Sequence, residues 1–556
     1  MPRGTSMYDW FENNPTARDK CEQFVTKRRE GDQTSIRKFL MSLIDECKFP
    51  FSSEPSIIRY LEAEMGLGKR LPTVRPKEEQ TPEALVTYEL PKSRKRAIRK
   101  ARSWVITAAQ NNTPVVGEFL QAIEGFAKLN KAEIIVRPIR YRNPTSNIVP
   151  EHEVPEGMWW DWRVERYLAD GEVEMKDVVI PDVRIAATAA NPLTGLDARS
   201  GSKHGIYGAT QLSMKTVATP QQELPKILYS TGAVTAPNYS TTKSGNLAEF
   251  RHSLSAVIVE QDGRGRTFLR SVSWDGECFI DIDRAYYANG HEPAPSARAL
   301  IPGDEHAWFV DPKVKAATYT NKDSMLHTLK PEVVVRHDLL DCYSVSHHHM
   351  GNTLMLRNKA VLGWGSIEQE LDATIAFLDE TSVTDAKHLI VSSNHNDHLS
   401  QWLNGGEKGV TPENALLYHR FMTWMYESAE RTPTGVKMGN PFKMYLERNA
   451  NYLPDVEFLG GSEPYIIGNI DVSQHGHRGP NGARGSRANL SKIGVKTVIG
   501  HSHSPGITGG CWQVGTSSRL DLEYAQGPSS WLHCHCVIHA NGKRQLLPII
   551  EGKWRQ

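Results

Sequence analysis

After residue 296 the chain repeats one local pattern five times: a short apolar run, readable as a buried strand, ends in a turn of metal-ligating residue types. RALIPGDEH carries Asp304 and His306, EVVVRHDLLD carries Asp338 and Asp341, and HLIVSSNHND carries Asn394 and His395. IIGNIDVSQHGH adds His475 and His477, and KTVIGHSH adds His501 and His503. Apolar strands with polar residues at their carboxyl ends describe an α/β architecture whose loops converge on one site. Any one such turn would suit a structural histidine, but five in order point to a shared centre. Carboxylates supply charge and can bridge two cations. Imidazoles are directional nitrogen ligands, and an Asn carbonyl oxygen fills a coordination position without adding charge.

At 556 residues, with 39% hydrophobic and 23% charged residues, the chain has globular composition and is too long for a single core. Three segments are expected: a helical region over 1–95, an α/β accessory domain over 96–295 and the metal-bearing domain over 296–556. No apolar run reaches the ~18 residues of a membrane span, and MPRGTSMYDWFENNP lacks the apolar centre of a signal peptide, so a soluble, cytoplasmic protein is expected. Seven scattered cysteines without a C-x-x-C pair imply reduced thiols. A formal net charge of +1 gives no overall attraction to nucleic acid, so any such binding has to come from local patches.

In the first segment, SIRKFLMSLIDECKF and SIIRYLEAEMG have helical one-sided spacing around a Phe-Pro-Phe break, which fits either a helix-turn-helix or an ordinary helical cap. A Pro/Glu-rich connector leads to the basic run Lys92–Arg102, a DNA-contacting helix or a solvated face. SWVITAA, a helix started by Thr113-Pro114 with Phe119, Leu120, Ile123, Phe126 and Ala127 on one face, and AEIIVRPIRY predict a βαβ unit with parallel strands. The turn Gln110-Asn111-Asn112-Thr113 suits a ligand site or a helix cap. Short strands separated by Gly, Pro, Ser and Asn then run to residue 295.

Three further motifs lie near the pattern. The triplet His347-His348-His349 can reach a bound phosphate or line a solvent loop. In WLHCHCVIH, strand alternation sends the histidines and cysteines to opposite faces, which opposes a zinc cluster and favours a packed strand. The glycine-rich loop after His475 carries Arg478, Arg484 and Arg487, which suit a polyanionic substrate or a plain surface loop. With these arginines, His348 and His477 are candidates to contact substrate.

The ordered motifs resemble those of the calcineurin-like metallophosphoesterase superfamily, D-x-H, G-D-x-x-D, G-N-H-D/E, H and G-H-x-H, over about 250 residues. The resemblance implies an α/β sandwich with Asp304, His306 and His503 on one divalent cation, Asn394, His475 and His501 on a second, and Asp338 bridging them. His475 is preferred to His477 because it comes first after its strand. His395 then faces the scissile phosphate, with Asp338 and Asp341 completing the catalytic set. Three positions depart from the pattern: His337 and Ser393 replace glycines, and Asn396 replaces the acidic residue after His395, whose partner is then Asp397 or Asp341. The implied chemistry is in-line hydrolysis of a phosphoester with two cations stabilising charge, Mn²⁺ fitting the mixed ligands best and Mg²⁺ next.

The full length, N-terminal region included, also resembles the pre-early, host-DNA-degrading nucleases of T-five-like bacteriophages. That resemblance implies a DNase acting in the host cytoplasm, a homo-oligomer, and contacts with phage or host proteins. The alternatives are a phosphoprotein phosphatase of the same fold and a non-catalytic DNA- or protein-binding phage factor with a structural metal site.

Overall fold

The computed structural model describes residues 7–29, 36–48, 57, 61, 96–97, 102–141, 143–147, 159–221, 223–349, 351–382, 384–450, 455–522 and 526–555. The chain divides into two compact units, Met1–Ala84 and Leu85–Gln556. In the first, α1 (Met7–Glu12), α2 (Pro15–Arg29) and α3 (Ile36–Cys47) bury Phe11, Cys21, Phe24, Val25, Phe39, Leu40 and Leu43 together. The expected one-sided spacing of α3 is therefore realised, with Phe24 stacked on Phe39 at 4.0 Å. The SIIRYLEAEMG segment apart from Ile57 and Leu61, the Pro/Glu-rich connector and most of the basic run lie outside the described residues.

The second unit contains the anticipated βαβ element: β1 (Ser103–Gln110), α4 (Gly117–Asn130) and β2 (Glu133–Ile139), the strands pairing in parallel. The helix begins three residues after Thr113-Pro114, because Val115 first bridges to Thr235 and gives its N–H to Asp161. All five residues of the expected apolar face are buried. The Asn-rich turn is also buried, and its asparagines are paired, while Gln110 Oε1 has no hydrogen-bond partner. Asn111 donates to Asn112 and accepts from the Tyr141 N–H, while Asn143 donates to the Asn111 carbonyl, so the turn works as a structural clamp. Strands β3 (Ser255–Gln261) and β4 (Thr267–Ser273) complete this four-stranded sheet.

A six-stranded sheet carries the first three apolar runs of the repeated pattern, as β5 (Ala299–Ile301), β6 (Val333–Arg336) and β7 (Lys387–Val391), together with β8 (Val456–Leu459), β12 (Cys534–Ile538) and β13 (Arg544–Pro548). Strands β5 to β8 run parallel, and β12 and β13 are antiparallel additions beside β5. Each parallel strand feeds side chains to two layers, as a period of two requires. Val333, Val335, Leu389 and Val391 join one core cluster, whereas Val334 and Ile390 join another with Leu371, Leu378, Leu399 and Trp402 of the covering helices. Burial on both faces is why these strands are apolar without alternation.

The first of those clusters also contains Ile470, Val498, Ile507 and Trp512 of an eleven-stranded sheet, so the two sheets pack face to face. That sheet includes β9 (Ile470–Asp471), β10 (Lys496–Ile499) and β11 (Cys511–Gln513). It also includes the strand Ala209–Val217, which pairs with Gly506–Thr508. The boundary expected at 295/296 is thus crossed by a continuous sheet inside one compact unit. Among the described residues no helix is long and apolar enough to cross a membrane.

Candidate metal centre

Five turns bring the expected residues to one place, at the carboxyl ends of β5, β6, β7, β9 and β10. On one side the Nε2 atoms of His306 and His503 lie 3.1 Å apart, and Asp304 Oδ2 is 3.2 Å from His503 Nε2. On the other, Asn394 Oδ1 is 3.0 Å from both His475 Nε2 and His501 Nδ1. Asp338 Oδ2 sits between the two sets, 3.1 Å from His475 Nε2 and 3.9 Å from His306 Nε2. His477 lies beside this set, its ring 5.4 Å from that of His475.

Backbone conformation marks the same residues. His306, Asp338, His501 and His503 are non-glycine residues with φ of 44°, 43°, 81° and 56°. Such left-handed conformations cost free energy and persist where surrounding structure enforces them, commonly at functional sites. His337 and Ser393, which stand where the superfamily pattern has glycine, avoid positive φ, and Ser393 instead caps the helix α5 (Asn394–Asn404) by accepting the Asn396 N–H. At Gly500 a glycine is required, since a Cβ there would lie 2.1 Å from Asp304 Oδ1.

The buried acidic and histidine groups could hold metal ions. Asp304 Oδ1 and His503 Nδ1 are buried without a hydrogen-bond partner, and Asp304, His306, Asp338 and His503 can converge on one ion. Burial disfavours charge on Asp338, yet His475 and His395 outweigh it and hold that carboxyl well below the usual carboxylate range. Burial likewise opposes charge on His475, but Asp338 and Asp304 raise its pKa. His501 and His503 are lowered, chiefly by burial, and so offer neutral nitrogens to a cation.

His395 holds a different position. Its Nδ1 is 2.7 Å from Asp341 Oδ1 and 2.9 Å from the Asp341 carbonyl, and its backbone N–H donates to Asp338 Oδ1. Of the two carboxylates open from the sequence, Asp341 is therefore the partner. Asp397 instead pairs with Arg478 at 3.0 Å. Burial works against a charged His395, but Asp338 and Asp341 prevail and lift its pKa to about 10. The same Asp341 Oδ1 lies 3.0 Å from His306 Nδ1, turning the His306 Nε2 toward the centre. Asn396 accepts the Leu340 N–H and donates to the Val391 carbonyl, fixing the β6 and β7 turns to each other.

The remaining candidates separate. Arg478 and Arg484 are exposed. Arg487 is turned inward, donating to Thr508 Oγ1, the Ser504 carbonyl and Gln513 Oε1, so its guanidinium is committed to holding the loop. His348 lies on an exposed 3₁₀ turn and approaches His398 rather than Asp338. In WLHCHCVIH, Cys534 and Cys536 enter the intersheet core, while His535 bonds Gly303 and Thr318 on the opposite face; the alternation read from the sequence holds. Sequence reasoning missed the support beneath the site. Glu305, between two ligands, forms a fully buried ion pair with Arg336 at 2.9 Å and accepts from the Tyr319 hydroxyl. The charged residue flanked by Asp304 and His306 was its only signal.

Over 471 residues, 82% of this chain and 83% of the relative, the sequence is 30% identical to Protein A1 of Escherichia phage T5. The chain belongs to the Protein A1 family. No family model and no solved structure matches it. In this member of the Protein A1 family, the convergence of Asp304, Asp338, Asn394 and their histidines is what points to a metal centre.

Proposed function

We propose that this chain is a two-metal phosphodiesterase of the calcineurin-like class that hydrolyses DNA. The observation supporting this reading is the position of Asp338, whose Oδ2 lies 3.1 Å from His475 Nε2 and 3.9 Å from His306 Nε2. Asp304, His306 and His503 would hold one divalent cation and Asn394, His475 and His501 the other, with Mn²⁺ suited to the mixed oxygen and nitrogen donors and Mg²⁺ next. When bound, such a pair supplies electrostatic stabilisation of phosphoryl oxygens and lowers the pKa of water. Asp341 keeps His306 aimed inward and holds the proton on the Nδ1 of His395. The Nε2 of His395 is left to donate to a phosphoryl or leaving oxygen, and the side chain is 24% exposed, open enough to meet substrate. A merely structural site has no use for a partly exposed imidazole held by Asp341 beside the ligand set.

DNA is favoured by the exposed Arg478 and Arg484 beside His475, by the resemblance to phage nucleases, and by kinship with a protein of an Escherichia phage. The deciding assay supplies Mn²⁺ with plasmid DNA, a phosphopeptide and a small aryl phosphodiester. Cleavage of the DNA and the aryl diester is expected. Turnover of the phosphopeptide alone would make the chain a protein phosphatase, and turnover of none would leave a binding factor. Metal analysis of variants tests the bridge: Asp338→Ala should lose both cations, whereas Asp304→Ala should weaken mainly one. Two metals retained per chain in Asp338→Ala would remove the bridging assignment.

A further inference from the structure

We propose that His347, His348 and His398 form a third cation site, selective for borderline-soft divalent metals such as Zn²⁺ and separate from the carboxylate-containing centre. His398 follows His395 by three positions in α5, so both imidazoles leave the same helix face, with ring centroids 5.0 Å apart. The exposed 3₁₀ turn His347–His349 then brings two more rings to that face, His347 at 5.1 Å and His348 at 6.1 Å from His398. One nitrogen from each of the three lies within 4.8 Å of the others, which is close enough for a single ion to span.

A second observation points to a ligand. His398 is only 8% exposed, and its Nδ1 has no hydrogen-bond partner. A buried polar nitrogen left unpaired costs free energy, and folded chains usually pair or solvate it. A cation held with His347 and His348 would satisfy it.

The donor set decides the metal. The group holds three imidazoles and no carboxylate, whereas the main centre contains Asp304 and Asp338. Oxygen-rich sites suit Mg²⁺ and Mn²⁺, and all-imidazole sites suit Zn²⁺, Cu²⁺ and Ni²⁺. Three protein ligands also leave a coordination position open, here toward the solvent side where His347 and His348 are exposed. Buffers containing only Mn²⁺ or Mg²⁺ would therefore leave this site unfilled.

The test counts zinc. Full-length protein is stripped with a chelator, equilibrated with Zn²⁺, desalted and analysed for metal per chain, with circular dichroism checking the fold. Because His347 and His348 are exposed on a short turn, the double variant His347→Ala/His348→Ala should fold normally and bind one zinc fewer than the unmodified chain. Asp338→Asn should keep that zinc while losing those of the main centre. An unchanged zinc count in the double variant would overturn the proposal, and so would complete loss of zinc in Asp338→Asn, since the third site would then have no existence of its own.

Discussion

His395 differs from the histidines around it in which nitrogen is committed. His306, His475 and His503 turn Nε2 toward the other ligands, whereas His395 spends Nδ1 on Asp341 and keeps Nε2 free of the ligand set. His395→Ala should accordingly retain both metals and the fold while losing ~10²–10⁴-fold in turnover on DNA. If the ring acts by donating a proton, the loss should be smaller on an aryl phosphodiester, whose good leaving group needs little protonation. An equal loss on both substrates would assign a purely electrostatic role. Loss of bound metal would instead place His395 among the ligands.

At the scale of elements, the loop after His475 and the turn after β5 make separate predictions. Neutralising Arg478 and Arg484 should reduce the salt dependence of DNA binding, by ~0.9 in slope for each phosphate that the loop no longer neutralises. An unaltered slope would return both to an ordinary surface loop. Arg487→Ala should leave that slope alone and destabilise the fold by ~1–3 kcal/mol, because the half-buried Ser504 and Thr508 acceptors and buried Gln513 lose their donor. Below the metal centre, Arg336→Leu strands the buried Glu305 and should cost ~3–5 kcal/mol, while Arg336→Leu combined with Glu305→Leu should recover part of it. Urea unfolding reads both, and a cost below ~1 kcal/mol for the single change would show that the pair contributes little. The turns that converge were legible in the sequence because buried strands read as apolar runs, and their polar residues fall at the ends. The inward turn of Arg487, the choice of Asp341 over Asp397 and the Glu305–Arg336 pair depend on packing between distant elements, to which local spacing is blind. The same limit hid the eleven-stranded sheet, where Ala209–Val217 pairs with a strand almost three hundred positions later.

Across the larger unit, buried and half-buried histidines outside the converging set of Asp304, Asp338 and Asn394 bear on how the whole molecule should respond to acid. Burial pushes His535 down to about 3, and His539, His204 and His252 down to about 4. His535 shows why the neutral form is built in: its Nδ1 accepts the Gly303 N–H, and its Nε2 faces the Thr318 hydroxyl, so a second ring proton would point at a donor. In the unfolded chain each ring titrates near its ordinary value of ~6.5. Between ~6.5 and the lowered folded value, the unfolded state therefore binds more protons than the folded one, and stability rises with pH. The stabilisation is complete above ~6.5 and drains away as pH falls toward 4 and then 3, each histidine contributing a slope approaching ~1.4 kcal/mol per pH unit. Urea midpoints of metal-stripped protein should consequently drop between pH 6.5 and 5, and stripping the metal removes the part of the trend that comes from pH-dependent metal binding. His535→Gln, which can keep one acceptor and one donor, should flatten the slope by about one histidine's share. An identical slope in that variant would mean that His535 can be protonated in the folded protein, and that the packing around Gly303 and Thr318 opens before the molecule unfolds.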